Sequence, residues 1–335
     1  MALDRAEATL LVSAFYRGIL RREPDAEGLN HYVAALMRGK SATAVAETFI
    51  ASEEFKNRDA TKLYAPPGHF YSPIVDVDEA RAHLARIDRA PAQIPGITID
   101  KAAMLEEWQA LLPFLGTIQF PETKTASTRY AFDNPSYSWG DGSVLHAMLR
   151  RHKPRRLIEV GSGWSSACAI DTIEQFLDGK CDVTFIEPYP RLLRELLGKT
   201  RVPTRILEMP VQKVPLTTFD ALEAGDFLFI DSTHILRTGS DVCCELFEIL
   251  PRVSPGVFVH IHDMFWPFEY PSDWILEDNR SWNELYAVRA FLTDNAHWRI
   301  VFFNNYFAKL ATSEIEATYP QFLRNAGGAL WLERC

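Results

Sequence analysis

Asp231 and His234 lie at the end of one apolar run, DFLFIDSTH, and His262 and Asp263 close another, GVFVHIHD. If these runs are neighbouring parallel strands that end together, their side chains meet at the carboxyl edge of an open α/β sheet, where such sheets bind ligands. Asp231, His262 and Asp263 then form a candidate metal triad. His234 is instead a ligand, giving a histidine-rich triad of Asp231, His234 and His262, or a general base able to work near neutral pH. The mixed donor set leaves magnesium, manganese, iron and zinc undistinguished, because magnesium prefers an all-oxygen shell whereas imidazole favours transition metals. A competing reading has His260 and His262 satisfying buried loop carbonyls, with no metal at all.

A second constellation, Glu159-Val160-Gly161-Ser162-Gly163-Trp164, falls where the first strand ends and a helix begins. Gly161 and Gly163 permit a tight turn and let a cofactor lie against bare backbone. Glu187 ends the next strand, FIE, where its carboxylate can accept both hydroxyls of a ribose. The bland alternative is that the glycines only close the turn. A dinucleotide loop continues to a third small residue that packs under the pyrophosphate, but here Trp164 follows the second glycine and Ser166 takes the third place. Glu159, positioned to hold an ammonium group, favours S-adenosylmethionine. By position alone, Tyr137 is expected near the methionine end of that cofactor and Gln212 near its adenine.

The elements that must position these groups follow from the pattern. RRLIEV, CDVTFIE, TRILEM, DFLFID, GVFVHIH and WRIVFF are near-continuous apolar runs of the kind buried on both faces, separated by helical segments such as 165–177, 191–197 and 240–250. They predict a doubly wound, mostly parallel α/β sheet. GGALWLERC reads as a last strand returning antiparallel beside its predecessor. Upstream, helical patterns cover 78–89 and 100–115, and 4–55 reads as three short helices. Between them Tyr64–Val75, YAPPGHFYSPIV, is an extended connector, either a lid or an aromatic surface linker. The expected division is a small all-α domain at 1–60, a connector and helical lid region at 61–130, and the sheet domain at 131–335.

Lys and Arg number 35 against 44 Asp and Glu, so the net charge is 35 − 44 = −9. The resulting field disfavours nucleic acid. No apolar run reaches the ~20 residues of a membrane helix and the charged start does not read as a signal peptide. Five cysteines without a CxxC pair suggest a reduced, cytoplasmic protein, with Cys243-Cys244 as core packing. The run Met264–Pro271 is either the wall of an acceptor pocket or a proline-stiffened packing loop. Arg280-Ser281-Trp282-Asn283-Glu284 is largely accounted for by a capping box.

PPGHFYSP, FDNPSYSWGD, IEVGSGWSSA, FIEPYP, FIDSTHILRTGSDV, HIHDMFWPFEYP, RSWNELY and FFNNY together resemble a bacterial branch of the class I S-adenosylmethionine-dependent methyltransferases. The resemblance implies a seven-stranded Rossmann-like sheet and that cofactor. Metal-dependent O-methyltransferases of similar fold carry an acid after the fourth strand and an acid–acid or acid–amide pair after the fifth. His262-Asp263 stands in the pair position here. The stretch FYRGILRREPDAEGLNHYVAALMRGKSATAVAETFIASEEF resembles a helical domain of unassigned function found on many bacterial proteins, some linked to surface glycans, which implies docking to a protein partner. The expectation is metal-assisted O-methylation of a small molecule, with a sugar or glycan-linked metabolite preferred. Alternatives are a metal-dependent oxygenase or hydrolase using the Asp/His cluster, and a non-catalytic cofactor-binding adapter.

Overall fold

The computed structural model describes residues 3–57, 64–126 and 128–335. It falls into two compact units, Met1–Ala85 and Arg86–Cys335. The expected boundary at 60/61 lies outside the described residues, and the region expected at 61–130 is divided between the units, with the connector Tyr64–Val75 in the first.

In the first unit, α1 (Arg5–Gly18), α2 (Ala26–Met37) and α3 (Ala42–Ala51) each begin at a side chain that accepts an otherwise unpaired N–H of the first turn: Asp4, Asp25 and Ser41. Gly39, at φ +94°, stops α2. Val12, Tyr16, Val33, Leu36, Val45 and Phe49 recur at helical spacing and make a core of their own. To the three expected helices the structure adds a short α4 (Glu53–Asn57) after Ser52. The connector carries neither helix nor strand from 64 to 76, and His69 and Phe70 stack at 4.2 Å. It leads to α5 (Val77–Leu84).

The second unit holds a seven-stranded sheet: β1 (Arg156–Val160), β2 (Asp182–Ile186), β3 (Thr204–Leu207), β4 (Phe227–Ile230), β5 (Phe258–Ile261), β6 (Trp298–Phe303) and β7 (Leu330–Arg334), in the order β3-β2-β1-β4-β5-β7-β6. Pairing is parallel from β3 through β5, and β7 runs antiparallel to both neighbours. Every residue of β4 and β5 is buried, as strands covered on both faces require. Covering helices include α6 (Lys101–Leu115), α7 (Trp139–His152), α8 (Trp164–Phe176) and α9 (Arg191–Leu197). α6 inserts Trp108 among Phe302, Phe307 and Phe322. The expected helix over 240–250 is a short α-turn, Asp241–Cys244, widening into a π-turn at Glu245–Ile249. All five cysteines are free, and no helix among the described residues is long and apolar enough to cross a membrane.

Candidate active site

Strand order reverses at β1, which pairs with β2 on one side and β4 on the other, so the crevice at the ends of β1 and β4 is the ligand-binding position of this architecture. Gly161 sits there at φ +78°, and a Cβ on it would lie 1.7 Å from the carbonyl oxygen of Asp231. Conformation and contact both require glycine. Gly163 is different: its backbone is extended at φ 174°, and the nearest atom to an added Cβ is Leu192 Cδ2 at 3.8 Å. That face of the loop is open. The Ser162 hydroxyl donates to Glu187 Oε2 at 3.2 Å, and the Tyr189 N–H donates to Glu187 Oε1 at 2.8 Å. Beneath the loop, Glu159 Oε1 accepts from the hydroxyls of Ser165 and Ser166 at 2.6 and 2.9 Å. Burial raises the Glu159 carboxyl to about 8 against these two donors, with Asp231 and Glu187 adding to the rise. Trp164 opens α8 with the Lys124 ammonium 5.5 Å from its ring.

At the ends of β4 and β5, Asp231, His262 and Asp263 each present a ligand atom within 4.8 Å of the others. Parallel register carries them there, since Ile230 pairs with Ile261 and the next residues of both strands leave the sheet together. His234 joins them from the loop after β4: its Nε2 stands 3.5 Å from Asp231 Oδ1 and 3.3 Å from Asp263 Oδ2. Both His234 (φ 61°) and Asp263 (φ 56°) occupy the left-handed region, sparsely populated by non-glycine residues and common at functional sites. Burial opposes protonation of His234, but Asp231, Glu284 and Asp263 outweigh it and hold the imidazole well above its ordinary range. His262 is likewise raised, with Asp231, Asp263 and Asp141 overcoming burial. Four oppositely charged groups thus compete for protons in a space a cation can fill.

The reading that buried carbonyls satisfy the two strand histidines is not what the structure shows. Neither nitrogen of His260 has a hydrogen-bond partner among the described residues, nor has Nδ1 of His262. His260 instead stacks on Phe229 at 4.0 Å, and burial holds it well below the ordinary imidazole range. Tyr137 is buried with its ring 5.0 Å from that of His262 and its hydroxyl without a partner among the described residues. Gln212 is exposed and donates to the Gly239 carbonyl at 3.0 Å. Met264, Trp266, Phe268 and Tyr270 are buried in the core, so most of the expected acceptor wall is packing. The half-buried rings near His234 are instead Trp282 at 4.5 Å, Trp274 at 5.5 Å from Trp282, and Phe265 at 5.2 Å from Trp274.

Three acids near the candidate site were not assigned to it from the sequence. Glu284 is buried and its Oε2 lies 2.7 Å from His234 Nδ1, and the helix it opens has Asn283, not Ser281, at its N-cap position with no side-chain cap bond, so the capping-box account of this motif is corrected. Glu245, on the π-turn, accepts from Ser232 Oγ at 3.0 Å. Asp141, near the start of α7, accepts from Gly328 N–H, Ala329 N–H and Asn304 Nδ2, and burial lifts it to about 7. The available signals were weak: Glu245 is a lone acid inside an apolar helical pattern, and Asp141 stands among small residues.

A family model described as "Methyltransferase domain" matches residues 158–264, which embraces both constellations, and one described as "Domain of unknown function (DUF4214)" matches residues 7–58. An uncharacterized protein of Archaeoglobus fulgidus is 31% identical over 176 residues, covering 51% of this chain and 78% of that protein. Among solved structures, the O-methyltransferase TomG from Streptomyces achromogenes, involved in tomaymycin synthesis and solved with S-adenosylmethionine, is 14% identical with a TM-score of 0.38, covering 71% of this chain and 91% of that one. Human N-acetylserotonin methyltransferase is 14% identical with a TM-score of 0.30, covering 98% and 94%. Likeness so slight adds nothing to the strand order. A parallel sheet closed by an antiparallel β7 between β5 and β6, with a glycine loop after β1 and an acid immediately after β2, defines a class I methyltransferase. The chain belongs to the S-adenosylmethionine-dependent methyltransferase family and carries an N-terminal domain of the DUF4214 family.

Proposed function

We propose that this methyltransferase transfers the methyl group to a hydroxyl of a small, ring-bearing acceptor, with a sugar or glycan-linked metabolite preferred, and that a metal ion assists. One observation carries the reading: Gly161 of the glycine loop rests directly on the carbonyl of Asp231, the first acid of the triad, so the cofactor loop and the cation site share one crevice. Glu187 would hold the ribose, Glu159 the ammonium end, and the open face at Gly163 would receive the cofactor backbone. Asp231, His262 and Asp263 fit a divalent or transition metal by donor type and spacing. When bound, the cofactor supplies an already activated sulfonium methyl, and the ion lowers the pKa of a coordinated hydroxyl. His234 Nε2, directed between Asp231 and Asp263, would take the acceptor proton once a bound cation displaces the proton these acids hold on it. The ring row Trp282, Trp274 and Phe265, with the Arg280 guanidinium 4.2 Å from Trp274 and 4.9 Å from Trp282, gives an acceptor ring faces to stack on. The separate core of α1–α3 supports a docking module for a protein partner, and five free cysteines support a reduced compartment such as the cytoplasm.

Elemental analysis of the purified wild type, Asp231→Ala and His262→Ala tests the metal. Removing either ligand should strip the ion while leaving S-adenosylmethionine bound at the glycine loop. Wild-type protein that carries no metal and keeps full turnover under chelation would sink the metal reading and leave His234 as a metal-independent base.

A further inference from the structure

A short helix, Ser272–Leu276, ends in a turn that folds back on it: the Arg280 N–H donates to the Trp274 carbonyl at 2.9 Å, and Asn279 takes left-handed backbone at φ 50°. The turn lays the Arg280 side chain against two indoles, with the guanidinium carbon 4.2 Å from the Trp274 ring centre and 4.9 Å from that of Trp282. Nε and Nη2 both lie on Asp278 Oδ2, at 2.9 and 2.8 Å, so one edge of the guanidinium is taken. The other edge is not: Nη1 has no hydrogen-bond partner among the described residues. An ion pair as exposed as Arg280 and Asp278 adds little stability, and the backbone bond already closes the turn. What the rings and Asp278 achieve together is to hold the plane of the guanidinium in one orientation. Trp282 also lies 4.5 Å from His234, and the Arg280 charge acts on the Asp263 carboxylate, so the fork belongs to the surroundings of the candidate site. The acids gathered there, Asp231, Asp263 and Glu284, disfavour an anion, and an acidic acceptor needs a cation of its own to enter.

We propose that Arg280 is a specificity-determining residue: its free edge binds an oxyanion, carboxylate or phosphate, that the acceptor carries away from the hydroxyl to be methylated. This rests on the reading that a ring-bearing acceptor lies along Trp282 and Trp274. The guanidinium is a rigid planar fork whose two parallel N–H bonds match the paired oxygens of such a group. The acceptor class is therefore an acidic sugar, a sugar phosphate or a hydroxylated aromatic acid. A neutral sugar or phenol fills the ring row and leaves the fork to water. Lysine at this position keeps the charge but loses the paired bonds and the flat face that lies on the indoles.

The test uses the full chain with S-adenosylhomocysteine present, as wild type, Arg280→Gln and Arg280→Lys, and reads calorimetric binding of probes that differ by one acidic group. The pairs are 3,4-dihydroxybenzoate against catechol, and glucuronate and glucose 6-phosphate against glucose. Wild type should bind at least one acidic probe about 10- to 100-fold more tightly than its neutral partner, and the probe preferred tells carboxylate from phosphate. Arg280→Gln should bring the members of that pair within about threefold of each other, with Arg280→Lys between it and wild type. In turnover of the same pair, read as S-adenosylhomocysteine released from S-adenosylmethionine, the loss should fall on the acceptor KM and spare kcat, because the fork touches no reacting atom. A wild type that prefers no acidic probe, or a preference that survives in Arg280→Gln, overturns the assignment; a lowered melting temperature with the preference intact leaves Arg280 as a staple of its turn and overturns it too. If Arg280→Gln does not fold, Arg280→Lys decides, since a preference equal to that of wild type shows that the fork is not read. An Arg280-dependent preference in a protein that methylates none of the probes counts against the O-methylation reading and leaves the oxyanion site standing.

Discussion

At the ends of β1 and β2 the site carboxylates have hydrogen-bond donors of their own: Glu159 takes two serine hydroxyls, and Glu187 takes the Ser162 hydroxyl and a backbone N–H. At the ends of β4 and β5 the imidazoles face acids, His262 keeps an unpartnered Nδ1, and two non-glycine residues hold left-handed backbone. The first region supplies its acids with donors from within the loop and the strand ends. The second concentrates strain and competing charge, which on the proposed reading a cation would relieve by taking the place of protons. On the proposed reading, the cofactor site has its acids satisfied by its own donors, whereas the cation site is held open by interactions that favour filling it. Gly161 against the Asp231 carbonyl is where the two regions touch.

That contact gives the largest expected effect. Gly161→Ala would place a methyl 1.7 Å from a main-chain oxygen while keeping φ at +78°, and neither side can yield without moving a buried strand end. We expect a loss of about 3–5 kcal/mol in urea unfolding, with cofactor and metal affinity falling together. Wild-type stability in this variant would show that the two regions are not joined there.

How much of this was legible in the sequence follows from which interactions are local. The strands were, because burial on both faces writes a continuous apolar run, and so was the glycine loop, because a strand, two glycines and a helix are contiguous. The triad was readable because parallel neighbours end in register, which brings Asp231 beside His262 and Asp263. Glu284 was not. Its partner lies 50 positions away, and its spacing from Ser281 matches a local cap, so a short-range rule concealed a long-range bond. The aromatic run Met264–Pro271 left two readings open for the converse reason: alternation of large rings says that a segment packs, and leaves open whether against core or ligand. The helix over 240–250 had the right residues, but Glu245 is drawn toward Ser232 within a π-turn, which no periodicity announces.

Glu187→Ala sharpens the contrast by striking one region alone. Loss of a charge-assisted bond to the ribose should weaken S-adenosylmethionine by about 1.5–3 kcal/mol in calorimetry, with metal content unchanged. Unaltered cofactor affinity would remove Glu187 from the site, and loss of metal would show that the regions are less independent than their hydrogen bonds suggest.

The pH dependence of cofactor binding separates the regions further. Glu159 has an ordinary value of 4.5 and stands at about 8 when folded. Between those values the unfolded chain is ionised there while the folded chain keeps its proton. This residue therefore makes stability fall as pH rises across that window and level off above about 8. A cofactor ammonium beside Glu159 favours the ionised form, so binding should release up to one proton and tighten by at most about tenfold per pH unit up to the folded value. Calorimetry in buffers of different ionisation enthalpy reads that proton. Glu159→Gln should flatten the profile, and a profile that stays steep in the variant assigns the proton to another group.

The smallest expected effect on the fold belongs to Gly163→Ala, and its value lies in the difference from Gly161. The two glycines look equivalent in the sequence, yet an added Cβ at Gly163 meets nothing closer than Leu192 Cδ2 at 3.8 Å, and the backbone there is extended at φ 174°. The Gly163 N–H donates to Ser166 Oγ at 3.1 Å, a bond that alanine retains, and glycine and alanine at a helix cap differ by less than about 1 kcal/mol. Unfolding should thus be nearly unchanged. If Gly163 is glycine only because the turn closes that way, cofactor binding should be unchanged as well. If the open face exists to let the cofactor lie on backbone, the methyl group stands where the ligand must pass and affinity falls in a protein of native stability. Calorimetry beside urea unfolding on this one variant therefore distinguishes a glycine kept for its neighbour in the chain from a glycine kept for its ligand.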